Sequence, residues 1–284
     1  NTAPTVDAGP DQSLLEGQML IGSGAFVDPD TDTWMATVNY GDGGGAQPLS
    51  LNPDNTFPLV HTYRDDGTYT VTVTVNDGAG GVGVDTLTVL VGNVAPTVDA
   101  GPDQTIGLAD ALTVAATFTD PGLDDTHTAS IDWGDGSSAA GAVTQGSGSG
   151  SVAGSHTYAS DGIYTVTVTV TDDDGGVGVD TFQVTVEAPP APEPVANLTA
   201  RPKLNKVQLE WTHNGADSYN VYRSETSGGP YTLVANTTST LSLYLDSGLT
   251  VGNTYYYVVR SVVNGVESAD SAEVSATLRA RRGR

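Results

Sequence analysis

The chain carries a copy of itself. "NTAPTVDAGPDQ" from Asn1 returns as "NVAPTVDAGPDQ" from Asn93, "YGDG" from Tyr40 as "WGDG" from Trp133, and "HTYRDDGTYTVTVTVNDGAGG" from His61 as "HTYASDGIYTVTVTVTDDDGG" from His156. Matching positions lie 92 to 95 residues apart, so the repeated unit is a small domain and not the turn of a solenoid. One stretch suggests otherwise. "GGVGVD" at 80–85 and again at 175–180 satisfies the Gly-Gly-x-Gly-x-Asp formula of calcium-loaded parallel β-helices. Such a helix needs consecutive copies, and here the formula occurs once per repeat. The glycines lie between two alternating segments, where they are expected to make a hairpin turn with positive φ.

Alternation sets the fold class. In "TYTVTVTV" the side chains of Tyr69, Val71, Val73 and Val75 fall on one face and those of Thr68, Thr70, Thr72 and Thr74 on the other, with Tyr164, Val166, Val168 and Val170 repeating the arrangement. This is the pattern of a half-buried antiparallel strand. Short strands ended by Gly, Asp or Pro in about 92 residues fit two packed sheets. At 187–194 "EAPPAPEP" breaks the pattern, and beyond it "VQLEWTHNGADSYNVYRSE" and "YYYVVRSVVNGVES" each place two strands around an Asn-Gly turn. The expectation is an all-β chain of three tandem immunoglobulin-like β-sandwich domains: 1–91, 92–187, and, after a Pro-rich linker at 188–194, 195–279, with a basic tail at 280–284.

Charge and composition narrow the function. Residues 1–187 hold 26 acidic side chains and one basic one, Arg64, whereas 188–284 hold 8 acidic and 9 basic. With almost nothing to neutralise phosphate, nucleic-acid binding is excluded for the first two thirds. No cysteine is present, which removes disulfides, thiolate metal sites and cysteine nucleophiles together. No apolar run is long enough for a membrane span. The chain opens without a charged, apolar-cored leader, as expected of a mature product or an excised fragment. Four histidines occur; His61 and His156 share one place beside the Thr-Tyr of "HTY", which points to a structural hydrogen bond. His127 stands in an acidic loop and His213 near a turn. Neither a nucleophile elbow, a His-Glu-x-x-His helix nor a phosphate loop is present.

The combination of an Asn-x-x-Pro start, a Trp/Tyr-Gly-Asp-Gly turn, His-Thr-Tyr, Asp-Gly-x-Tyr-Thr-Val-Thr-Val-Thr-Val and a closing acidic-glycine turn resembles the polycystic kidney disease (PKD) domain, over 1–91 and 92–187. The third domain resembles fibronectin type III: Trp211 lies in an early strand, "YNVYR" follows, and "LTVGNTYYYVV" places Leu249 and Tyr255 as in that family's leucine-to-tyrosine corner. The PKD resemblance implies calcium, held where the entering strand, the acidic loop before Gly-Asp-Gly and the turn after the long valine strand converge. The matching residues are Asn1, Asp28, Asp30 and Asp77 in the first repeat, and Asn93, Asp120 and Asp172 in the second, where "DPGLDD" departs from "DPDTD" by one added residue and Asp124 is a further candidate ligand. Oxygen donors from three segments suit a hard cation. The alternative is that these aspartates cap backbone N–H groups of their own turns. Asp42 and Asp135 are read as such caps, and Asp85 and Asp180 as strand-edge residues. Trp34 aligns with His127, so the fold does not require an aromatic there; partial burial is expected, and exposure at a polymer-binding face is the alternative.

These readings lead to a non-catalytic extracellular or cell-surface segment, secreted, with calcium stiffening it as a spacer, adhesive stalk or surface-fibre unit. Its partners would be neighbouring modules, with head-to-tail self-association of "RARRGR" on the acidic repeats, or an extracellular polymer such as a polysaccharide or collagen. The second reading is a set of substrate-engaging modules of a secreted polymer-degrading hydrolase whose catalytic domain lies outside these residues.

Overall fold

The computed structural model describes residues 1–238 and 241–280. The fold is all-β, built from immunoglobulin-like β-sandwiches. It divides into two compact units, Asn1–Ala188 and the residues from Pro189 onward.

In the first repeat one sheet pairs Thr5–Asp7 and Thr56–Thr62 with the two edges of Met19–Val27. The facing sheet runs Gln12–Leu15, Val82–Gly92, Gly67–Asn76, Met35–Asn39 and Gln47–Leu49, antiparallel except for the first pair. The alternation in "TYTVTVTV" is realised: Val71, Val73 and Val75 are fully buried, Tyr69 packs at the edge of the core, and the threonines face outward. β-Branched side chains suit this half-buried pleat.

The second repeat follows the same order but closes its sheets differently. Its eight strands form one continuous ladder, because Ser138–Gly146 pairs first with His127–Asp132 and then with Ser149–Thr157. The strand changes sheets at Gly141, where a Cβ would lie 2.5 Å from Val152 Cγ1 and 3.0 Å from Ala129 Cβ. A side chain has no room at that crossing. In the first repeat the counterpart is only Gln47–Leu49 with Pro48 at its centre, and a proline cannot donate to a further ladder.

The last unit sets Ala196–Lys203, Lys206–Thr212 and Leu243–Ser247 in one sheet. Thr232–Thr238, Ser218–Ser224, Thr254–Val263, Val266–Glu267 and Val274–Thr277 make the other. Trp211 is buried edge-on to Tyr219 at 5.3 Å. Tyr255 is buried beside Leu249 in the core and its hydroxyl accepts the Thr250 N–H at 3.1 Å, which is the corner the sequence indicated. Of "RARRGR", only Arg279 and Ala280 are described; the head-to-tail expectation rests mainly on 281–284, which lie outside the described residues. Among the described residues no helix is long and apolar enough to cross a membrane.

Candidate metal centre

In each repeat the alternating strand delivers an aspartate to its far end. Asp77 follows Gly67–Asn76 and Asp172 ends Gly162–Asp172; both are buried. Asp77 Oδ1 accepts the N–H groups of Ala79 and Gly81, each at 2.8 Å, and Asp172 Oδ1 those of Asp174 and Gly176 at 3.1 and 2.7 Å. One oxygen thus caps its own turn while the carboxylate meets the incoming chain: Asn1 Nδ2 donates to Asp77 Oδ2 at 2.8 Å, and Asn93 Nδ2 lies 3.2 Å from both oxygens of Asp172. The Asn1 hydrogen bond is the first cause holding the Asp77 carboxyl below its usual range, with the turn N–H groups adding to it.

The glycines of "GGVGVD" serve this arrangement. Gly80 and Gly175 have φ of 105° and 91°, as a turn requires. Gly81 and Gly176 have another role, since a Cβ there would meet Asp77 Oδ2 at 2.1 Å and Asp172 Oδ2 at 2.3 Å. Gly83 and Gly178 leave room for the carbonyls of Pro4 and Pro96, at 2.1 and 2.0 Å from a Cβ. The aspartates that complete the formula pin the same incoming segment: Asp85 accepts the N–H of Ala8 and Asp180 that of Ala100, both at 2.8 Å.

The acidic loop supplies the third side. In the first repeat Asp28 Oδ1 accepts the N–H of Asp30, Asp30 Oδ2 accepts that of Thr2 at 2.7 Å, and carboxylate oxygens of Asp28, Asp30 and Asp32 lie within 4.8 Å of one another. Asp32 Oδ2 is buried without a donor. Burial, then the charges of Asp28, Asp77 and Asp30, push the Asp32 carboxyl up. Sequence reasoning missed Asp32, although "DPDTD" held it.

The second repeat gathers Asp120, Asp125 and Asp172, all buried, with oxygens within 4.8 Å of one another. Asp124 is elsewhere. Its carboxylate accepts Arg64 Nε at 2.9 Å and its N–H donates to the Arg64 carbonyl, so the added residue of "DPGLDD" turns Asp124 out and Asp125 in. Counting back from His127, which aligns with Trp34, would have made Asp125 the match for Asp32. Both oxygens of Asp125 and Oδ1 of Asn93 are buried without a partner. Desolvation, then the charges of Glu16, Asp120, Asp65 and Asp172, push the Asp125 carboxyl up to about 7.

Trp34 and His127 do one job in two chemistries. Trp34 Nε1 donates to Asp28 Oδ2, and His127 Nε2 lies against Asp120 Oδ2, both at 3.0 Å. Trp34 is half-buried, edge-on to Phe26. His61 and His156 stack on Tyr40 and Trp133 and reach Asp42 and Asp135 at 2.7 and 2.8 Å. Those aspartates also accept the Gly44 and Ser137 N–H groups of their turns.

Turn N–H groups, together with the side chains of Trp34, Asn1, His127 and Asn93, account for the bonds of Asp28, Asp77, Asp120 and Asp172. Asp32, Asn93 and Asp125 keep buried oxygens with no donor; for Asn93 and Asp125 the cost is about 1–3 kcal/mol, and more for a charge. A divalent cation takes oxygen donors of this kind, up to six to eight of them, so the donor set fits calcium. Asp28, Asp30 and Asp32 would hold it in the first repeat; among the described residues Asp77 joins no such group of three, and Asn1 bonds to it while the next residue's N–H meets Asp30. In the second repeat Asp120, Asp125 and Asp172 would hold it, with Asn93 against Asp172.

The model of the PKD domain family matches residues 1–91 and 93–186. The chain belongs to the PKD domain family. It carries an Fn3-like domain besides: an Fn3-like protein from Clostridium thermocellum is 41% identical, with 34% of this chain and 99% of that one covered and a TM-score of 0.29. Domains A168–A170 of titin cover 98% of this chain at 13% identity and a TM-score of 0.38. Among curated proteins, the amylopullulanase of Thermoanaerobacter thermohydrosulfuricus is 42% identical over 88 residues, 30% of this chain. That of Thermoanaerobacterium saccharolyticum is 38% identical over 74 residues, 25% of this chain. The match spans 6% of the length of either relative.

Proposed function

We propose that this chain is a non-catalytic accessory segment of a larger, secreted, polysaccharide-acting protein, in which the paired PKD domains form a calcium-stiffened spacer and the Fn3-like domain an adjoining module. The observation that carries the metal part is Asn93 with Asp125: buried oxygens without donors, beside Asp120 and Asp172, where the chain enters the second repeat. The amylopullulanase relatives support the polysaccharide setting, because the stretch they share with this chain is a small part of much longer enzymes. An extracellular setting supplies the calcium. At dissociation constants of about 10⁻⁴–10⁻³ M and calcium near millimolar, each site contributes about 0.4–1.4 kcal/mol, which stiffens a joint without driving folding.

Two measurements test this. Calorimetric titration of the whole chain with calcium is expected to show saturable binding that Asp77→Asn and Asp172→Asn each reduce. Co-sedimentation with insoluble starch, with collagen as the control, tests the polymer: retention on starch supports substrate engagement, and passage through both leaves a spacer. Concentration-dependent assembly without any polymer would favour the stalk or fibre reading instead. Trp34→Ala is a poor probe of polymer contact, because the indole N–H holds Asp28.

A further inference from the structure

The carboxylates of the second repeat do not stop at its boundary. Oxygens of Glu16 and Asp65, from the first repeat, lie with one of Asp125 within 4.8 Å of one another. Asp65, Asp66 and Asp174 form a further group of that size, and so do Asp125, Asp173 and Asp174. Glu16 is 1% exposed and Asp125 6%. Glu16 Oε1 accepts the Val94 N–H at 2.7 Å, but its Oε2 has no partner, and neither oxygen of Asp125 has one. Whichever Asp125 oxygen faces Glu16 and Asp65 therefore faces them without a proton donor. The basic groups at hand are already engaged: Arg64 with Asp124 and Ser147, and His127 with Asp120.

A comparison inside the chain sharpens this. Aligning the repeats sets Glu16 against Leu108, Arg64 against Ala159 and Asp65 against Ser160. The backbone is the same at the first of these places, since Glu16 N–H donates to the Gly92 carbonyl as Leu108 N–H does to that of Glu187. Only the repeat that is followed by a second PKD domain has acids there. The fold of one domain thus does not require Glu16 or Asp65; the joint is what they have in common.

We propose that the joint between the two PKD domains is itself a divalent-cation site, with Glu16 and Asp65 of the first domain and Asp125 of the second as ligands, Asp125 being shared with the cation of Asp120 and Asp172. This rests on the calcium reading above and adds a ligand set drawn from both domains. Without a cation, a buried glutamate and a buried aspartate face each other across the joint with no proton donor between them. With one, the same residues hold the domains in one orientation, and removing the cation frees the joint.

The test is calcium stoichiometry of the full chain by equilibrium dialysis, with calcium alone as the probe. Glu16→Gln with Asp65→Asn is expected to lower the count by one ion per chain, and Asp77→Asn by one independently. Spin labels, one in each PKD domain on introduced cysteines, are expected to give a distance distribution that calcium narrows in the parent and leaves broad in the double variant. An unchanged count in the double variant, with Asp77→Asn still losing an ion, overturns the joint site and leaves the calcium reading standing. No calcium bound by the parent at millimolar concentration overturns both. Should the double variant melt early in chelator, exposed Asp65→Asn alone is the check, with at least a tenfold weaker binding of one ion expected and unaltered binding of all ions overturning the site.

Discussion

Gly81 and Gly176 tie the smallest feature of the sequence to the candidate site. Neither has positive φ, so the obstacle to a side chain is the carboxylate folded over it. Gly81→Ala is expected to destabilise the first unit by about 1–3 kcal/mol through overpacking, and to weaken calcium binding because Asp77 must swing away; denaturant titration and calorimetry on one sample check both. A second residue-scale effect is acid sensitivity. The Ser137 hydroxyl, then His156, hold the Asp135 carboxyl down at about 2. A depressed folded pKa means stabilisation that is complete above the unfolded value, near 4, and lost as pH falls through about 2. The stability difference between the parent and Asp135→Asn should therefore shrink as pH falls from about 4 to about 2. The role of the "HTY" histidines was legible because both copies set them beside the same residues. Asp125 was passed over because one inserted residue shifts the match when the loop is counted from its front; counted back from His127 it aligns with Asp32, and packing is what turns it inward.

At the scale of elements, each long strand is anchored at the end opposite its aspartate by a tyrosine pair. Tyr63 stacks on Tyr69 and Tyr158 on Tyr164, both at 4.2 Å between centroids. The inner hydroxyls donate to the carbonyls of Tyr40 and Trp133, at 3.0 and 2.9 Å. Tyr158→Phe leaves the buried Trp133 carbonyl without that donor and should cost about 1–3 kcal/mol, with little change in calcium affinity, since Asp172 stands at the far end of the strand. A comparable loss of affinity would show that the two ends of the strand are coupled. The strands themselves were readable from period-2 alternation. The continuous eight-stranded ladder was not, because "SSAAGAVTQGSGSGSVAG" has few large side chains to alternate, and the crossing at Gly141 depends on Val152 and Ala129 arriving from other strands.

At the scale of the molecule, the two compact units carry different charge and different supports. Asn1–Ala188 has the carboxylate clusters. The unit from Pro189 onward instead has an internal ion pair, Arg223 with the buried Asp246, whose carboxylate also accepts the Tyr257 hydroxyl at 2.9 Å. Calcium should therefore raise the melting temperature of the first unit by several degrees, at about 2–4 °C per kcal/mol for a unit of this size, and leave the second unmoved. Scanning calorimetry with calcium and with chelator resolves the two; an equal shift of both transitions would contradict the assignment of the sites.

The sequence alone determined that this protein is a duplicated domain followed by another, that its strands alternate valine with threonine, and that acids are concentrated in its first two thirds, because repetition, periodicity and charge are properties of the chain read in order. Tertiary structure alone decided which acids meet. Glu16, Asp65 and Asp125 are far apart in the chain, no local pattern links the three, and they become neighbours only where the two repeats meet. Distance through space, and the loss of water that comes with burial, turn a diffuse negative charge into a small number of oxygens without donors.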